Sequence, residues 1–324
     1  MPAQQYSPRY IAITGGVGGA KLALGLIQLL ESDEITFIVN TGDDFEHLGL
    51  HISPDIDTLV YTLSGQSNTE AGWGRRGETW QFMQALKQLG GETWFNLGDL
   101  DLAMHIERTQ RLRRGANLTD VTRELASALG VKHAILPMSD APVRTMIGTP
   151  NGELAFQHYF VRDRCAPAVT GFRFDGAATA TLTPQIERCL EDPQLAGVII
   201  CPSNPFVSVD PVLAIPGLCE RFARLHVPIV AVSPIVAGTA IKGPTAKMMT
   251  ELNIPTNAVA VAQHYRGLVN GFVLDNQDAP LQPAVAALGI ATVVTQTVML
   301  SLADRRQLAE DVLKFITRLN SSND

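Results

Sequence analysis

The chain has 324 residues, of which 46% are hydrophobic and 18% charged, with a net charge of −7 at pH 7. That composition excludes disorder over most of the chain and supports a sizeable core. The acidic balance argues against a general nucleic-acid binder, and no apolar run reaches the roughly 18 residues of a membrane span.

The first ten residues are polar and carry no signal-peptide apolar region. Tyr10-Ile11-Ala12-Ile13-Thr14 reads as a strand ending in Gly15-Gly16-Val17-Gly18-Gly19, with a helix from Ala20 to Leu30. Glycines after a first strand let backbone N–H groups approach a phosphate, and the helix N-terminus adds a favourable dipole. Lys21 adds a cation. The spacing fails G-x-G-x-x-G, since Lys21 stands where glycine or alanine is needed. It also fails the P-loop, since Ala20 separates Gly19 from Lys21. An NAD site and a standard ATPase are therefore disfavoured, and a tight turn without ligand is the bland alternative.

A second strand, Ile35 to Asn40, ends at Asp43 and Asp44, and a second acidic pair follows at Asp55 and Asp57. Carboxylates at neighbouring strand ends beside a phosphate loop suggest Mg²⁺. Spacing leaves open which of them holds it, and Asp55 as a helix cap or Asp43 in a turn also fits. Helical patterns cover Glu78 to Leu89, Leu118 to Leu129, Gly217 to Leu225 and Ala303 to Leu319. Asp99, Asp101 and His105 read either as acid/base groups or as a cap with a half-buried histidine. Arg108, Arg111, Arg113 and Arg114 form a basic cluster that could hold an anionic substrate, but such a run is more often a solvated face, which is the favoured reading.

Further strands are expected at 134–136, 197–200, 228–232, 271–274 and 291–294. Their apolar runs are continuous, as in parallel strands covered on both faces. The whole is expected to be one α/β domain over 1–324, a Rossmann-like, doubly wound, mainly parallel sheet. Residues 145–184 read as a small antiparallel insertion, with Ala155 to Val161 as one alternating run. Ser203 and Asn204 after one strand, and Ser233 after another, offer hydrogen bonds to a nucleotide or ordinary turn chemistry. Lys242 reads as a second anion-binding candidate or, more commonly for such a lysine, a plain surface residue. Cys165, Cys189, Cys201 and Cys219 form no C-x-x-C pair and read as reduced, mostly buried thiols.

Taken in order, these segments resemble the CofD family of 2-phospho-L-lactate transferases in coenzyme F420 biosynthesis. The resemblance rests on Gly15 to Leu22, Val39 to Asp44, His47 to Thr58, Trp73-Gly74, Glu78-Thr79-Trp80, Leu97-Gly98-Asp99, Leu136 to Asp140, Pro202 to Pro205 and Val232 to Ile235. It implies a cytoplasmic, Mg²⁺-dependent homodimer. The implied reaction moves a phosphorylated three-carbon acid from a guanosine diphosphate-linked donor to the ribityl hydroxyl of the deazaflavin alcohol Fo, releasing GMP. The donor's acid, whether lactyl, enolpyruvyl or glyceryl, stays open. Gly15, Gly16, Gly18, Gly19, Lys21, Ser203, Asn204 and Ser233 would then hold the nucleotide. Asp43, Asp44 and Asp57 would hold metal, with Asp43 and Asp57 also catalytic. Asp57, Asn96, Asp99, His105 and Ser139 would surround Fo. Many relatives carry Gly-Asp-Arg-Asp where this chain has Gly98-Asp99-Leu100-Asp101. The rival reading is a nucleotide-sugar-binding regulator of the YvcK type. Asp57→Asn is expected to abolish turnover and leave the fold intact.

Overall fold

The computed structural model describes residues 8–68 and 74–321; Trp73 and most of the polar N-terminal segment lie outside them. Seven strands form the central sheet: β1 (Arg9–Thr14), β2 (Ile35–Val39), β3 (Ala134–Pro137), β4 (Leu195–Ile200), β5 (Ile229–Val232), β6 (Gly271–Asp275) and β7 (Ala291–Thr295). Their order is β7-β6-β5-β4-β1-β2-β3. Every neighbouring pair is parallel. All seven strand runs read from the sequence are present.

The continuous apolar runs have a direct physical origin. Successive side chains of a strand point to opposite faces. Ile11 and Ile13 enter the core on one face, and Tyr10 and Ala12 enter the core on the other. Both faces are covered, so neither set of positions is polar. Five helices precede β3 or join the early strands: α1 (Gly16–Leu26), α2 (Pro54–Leu63), α3 (Gln81–Gln88), α4 (Asp99–Arg113) and α5 (Leu118–Ala128). A long helix, Leu302–Ser321, packs across α1 and the sheet. Among the described residues no helix is long and apolar enough to cross a membrane.

Three boundaries differ from the sequence expectation. α1 starts at Gly16 rather than Ala20, so the glycines form its first turn. Gly16 has a positive φ that favours glycine, and close neighbours leave no room for side chains at Gly18 and Gly19, so glycine is required there despite its poor helix propensity. α3 starts at Gln81 rather than Glu78, because the Gln81 and Phe82 N–H groups donate to the Asp99 carboxylate. Ala155 to Val161 is not a strand: the strand Gly152–Ala155 ends there, and Gln157 to Arg162 is helical. Arg144–Thr149 pairs antiparallel with Gly152–Ala155 and with Gly171–Asp175 in a separate three-stranded sheet. The four cysteines are unpaired, but only Cys201 is buried; Cys165 and Cys189 are half-buried and Cys219 is exposed.

The last helix approaches glycines closely. A Cβ at Gly25 would overlap the Arg305 carbonyl, and Cβ atoms at Gly197 and Gly271 would press on Ile316 and Phe315. Gly25→Ala is therefore expected to destabilise the fold by about 1–3 kcal/mol through overpacking. A lowered thermal midpoint in calorimetry is the check.

Candidate functional site

β1 lies between β2 and β4, so the chain runs outward in one direction from β1 to β3 and then returns to the other side. Ligand crevices form at such switch points, outside the carboxyl ends of the strands. A cavity of about 570 Å³ lies there. Segments following β1, β2, β4, β5 and β7 all reach it, with Lys21, Asp43, Ser203, Ser233 and Met299 among them.

The glycine turn is fixed by groups from distant parts of the chain. The Gly16 N–H donates to Asp55 Oδ1 at 2.7 Å. Ser203 Oγ donates to the Gly15 carbonyl at 2.8 Å and accepts from the Gly15 N–H at 3.3 Å. A Cβ at Gly18 would overlap the Pro202 carbonyl, and one at Gly19 would overlap Thr14 Oγ1. The α1 N-cap residue, Gly15, has no side chain to cap the helix, so the N–H groups of the first turn beyond Gly16 are available to a ligand. Gly15, Gly16 and Gly18 line the cavity, whereas Gly19 packs behind them. Lys21 also lines it and donates to the Met299 carbonyl at 3.2 Å. Burial, then the charge of Arg305, lowers its pKa. Lys242, read as a surface residue, lines the same cavity, and burial followed by the charge of Lys21 lowers its pKa.

The loops after β4 and β5 place Ser203, Asn204 and Ser233 on the cavity wall. Asn204 Oδ1 accepts from the Phe206 N–H at 3.0 Å, and Ser233 Oγ donates to the Ile235 carbonyl at 2.8 Å. Each side chain thus shapes its own turn as well as facing the cavity.

The acidic residues separate into different environments. Asp43 lines the cavity, and its buried Oδ1 has no hydrogen-bond partner. Burial, then the charge of Asp55, pushes its pKa well above the usual carboxylate range. Asp55 is pushed up to about 6 by burial, against hydrogen bonds from Asn40 and Gly16. Asp44 is not among the cavity-lining residues: its Oδ2 accepts from Ser53 Oγ at 2.7 Å and lies 3.1 Å from His51 Nε2.

Helices α2 and α4 also contribute to the cavity wall, with Asp57, Tyr61, Asp101 and His105 among its lining residues. Asp57 and Tyr61 share a face of α2, and Asp101, His105 and Arg108 share a face of α4, as their spacings require. Arg108 is 1% exposed and donates through both terminal nitrogens to the two Asp57 oxygens. The sequence reading of Arg108 as part of a solvated face is thereby overturned. Arg111 does lie at the surface, paired with Glu107 and Glu124. His105 is fully buried rather than half-buried. Its Nδ1 lies 3.6 Å from Asp57 Oδ2, and its Nε2 lies 3.4 Å from Asp101 Oδ2. Tyr61 Oη donates to Asp101 Oδ1 at 2.5 Å. Burial opposes ionisation of Asp101, but His105 close by and the hydrogen bond from Tyr61 outweigh it and lower its pKa.

Asn96 lines the cavity with Trp94, Phe95, Phe156 and Phe160. Asp99 and Ser139 are not among the lining residues. Asp99 caps α3 and accepts from Thr79, and Ser139 Oγ donates to the Thr181 carbonyl at 2.7 Å. Sequence reasoning missed Arg108, Tyr61 and the aromatic wall. The i, i+4, i+7 spacing of Asp101, His105 and Arg108 was the available signal for the first.

Asp57, Asp101 and His105 bring ligand atoms within 4.8 Å of one another. A divalent cation there would compete with the guanidinium already paired to Asp57. The unpartnered Asp43 oxygen is the better match for such an ion. The ion pair also changes the expectation for Asp57→Asn, since an unpartnered buried arginine costs stability as well as activity. Arg108→Met, which leaves Asp57 charged and buried, is expected to cost about 3–5 kcal/mol. Adding Asp57→Asn to it should recover part of that loss in urea unfolding.

Comparison with known proteins identifies the family. The model of the family "2-phospho-L-lactate transferase CofD" matches residues 11–317. A 2-phospho-L-lactate transferase of Methanosarcina mazei is 37% identical over 304 residues, covering 94% of this chain and 99% of that one. A phosphoenolpyruvate transferase of Streptomyces coelicolor is 36% identical over 311 residues, covering 94% and 97%. A crystal structure of a UPF0052 family member from Bacillus halodurans shares the fold, with a TM-score of 0.61 at 15% identity, covering 95% and 99%. The matched segment spans β1 to the last helix and contains every residue of the cavity wall, so the chain belongs to the CofD 2-phospho-L-lactate transferase family.

Proposed function

We propose that this protein transfers a phosphorylated three-carbon acid from its guanosine diphosphate-linked donor to the ribityl hydroxyl of Fo, releasing GMP, in coenzyme F420 biosynthesis. The observation that carries this reading is one cavity lined by two unlike sets of residues. One set is the α1 N-terminus, Lys21 and Lys242, which suit a diphosphate. The other is Trp94, Phe95, Phe156 and Phe160 with Tyr61, Asp101 and His105, which suits a flat aromatic ring bearing hydroxyls. A nucleotide-sugar-binding regulator would leave the aromatic set without a role.

In this reading the glycine turn and Lys21 hold the diphosphate, and Ser203, Asn204 and Ser233 border the guanosine side. The aromatic wall and Asn96 orient the deazaflavin. Transfer then depends on positioning and charge stabilisation. Asp43 is the residue proposed to hold Mg²⁺, since its buried oxygen lacks a partner. Mg²⁺ there would neutralise phosphate charge. A cytoplasmic homodimer belongs to the same reading and rests on family resemblance.

Purified protein with Fo, Mg²⁺ and each guanosine-linked donor in turn is expected to yield a deazaflavin phosphodiester and GMP by mass spectrometry. No product from any donor would contradict the reading. Asp43→Asn is expected to raise the stability of the ligand-free protein by about 1 kcal/mol, since it removes a buried carboxyl group beside Asp55, one oxygen of which has no partner. The same variant should lose the extra rise in thermal midpoint that Mg²⁺ adds to GDP. Leu100 is 41% exposed and not among the lining residues. Leu100→Arg is therefore expected to keep turnover within about threefold of the unmodified enzyme, since a surface change away from the site is near neutral.

A further inference from the structure

We propose that Asp101 is the carboxylate that receives the proton of the attacking hydroxyl, and that the Asp57–Arg108 ion pair is the scaffold that positions His105 behind it. The inference rests on the transferase reading above and moves the base away from Asp57.

Asp57 and Asp101 both line the cavity, but their oxygens are committed differently. Both Asp57 oxygens accept from the Arg108 guanidinium. That cation keeps its proton at any working pH, so a proton arriving on Asp57 would break a buried pair. Asp101 has no cationic partner of that kind. Its Oδ1 accepts from Tyr61, and its Oδ2 faces His105 Nε2 at 3.4 Å without the alignment of a hydrogen bond. Its side chain is 16% exposed, against 7% for Asp57. It is therefore the more accessible of the two.

Arg108 also settles the state of His105. Its Nη1 lies 3.4 Å from His105 Nδ1, and a guanidinium can only donate. Nδ1 therefore presents its lone pair to Arg108, and the ring proton sits on Nε2, facing Asp101. With that proton in place, Nε2 cannot take another. It can support the charge of Asp101, as Tyr61 does from the other oxygen.

The step balances without a further reactant. A lone pair of the hydroxyl oxygen forms the new O–P bond. The P–O bond to the GMP phosphate breaks, and its electron pair leaves with that phosphate. The proton passes from the hydroxyl oxygen to Asp101 Oδ2. Asp101 is the catalytic residue here; Tyr61, His105, Arg108 and Asp57 are positioning residues.

The test begins with the unmodified enzyme, whose product formation establishes the transferase reading independently. Asp101→Ala and Asp101→Asn are then expected to lower kcat by roughly 10²–10⁴-fold, the usual worth of a general base, with KM for Fo within about threefold. Added formate should raise the kcat of Asp101→Ala at least about tenfold by replacing the missing base, a recovery that loss of packing alone would not give. Tyr61→Phe, which removes one hydrogen bond to Asp101, should lower kcat roughly two- to tenfold. A kcat for Asp101→Asn within threefold of the unmodified enzyme would overturn the proposal. So would a loss in Asp101→Ala that formate leaves unchanged, or formate recovery in Asp57→Ala instead.

Discussion

The closeness of the glycine turn to its neighbours is the constraint on which the site depends. Gly18 meets the Pro202 carbonyl and Gly19 meets Thr14 Oγ1, with no space for a Cβ at either. Asp55 holds the Gly16 N–H, and Ser203 holds both backbone groups of Gly15. The turn therefore locks the ends of β1 and β4 to the start of α2. That locking opens a cavity at the switch point and leaves the α1 N-terminus facing it. A residue larger than glycine would push these loops apart before it touched any ligand.

A second rigid element accompanies the first. Arg108 is buried with Asp57 as its partner, and the pair joins α4 to α2. Such a pair is weak evidence for stability but strong evidence for register, because either partner alone is costly. It fixes where Tyr61, Asp101 and His105 stand relative to the aromatic wall. The cavity thus has a backbone-built set of groups that suits phosphate and a side-chain-built set that suits a hydroxylated ring.

Much of the fold was legible in the sequence. The seven strands announced themselves because a parallel sheet covered on both faces favours continuous apolar runs, as in Ile229 to Val232. The α1 start was missed because glycines look like loop until their close neighbours are known. Ala155 to Val161 alternates like a strand, yet its residues turn into a helix after the hairpin. The site was legible in part. Lys21, Asp43, Asp57, Asn96, His105, Ser203, Asn204 and Ser233 meet in one cavity; for Asp43, Ser203, Asn204 and Ser233 that convergence follows from the strand ends they succeed. Arg108 was not recognised because it opens a run of arginines whose other members are solvated. Asp99 and Ser139 shape turns instead of the cavity, a distinction that only their hydrogen-bond partners reveal.

The proposed division of the cavity is tested most directly by calorimetric titration of Fo into the protein, with and without saturating GDP and Mg²⁺. Simultaneous binding, with Fo affinity equal or tighter when GDP is present, is the expected result, since the proposed donor and acceptor sites use different lining residues. Displacement of GDP by Fo would place both ligands on one subsite and contradict the arrangement from which the transfer reaction is derived.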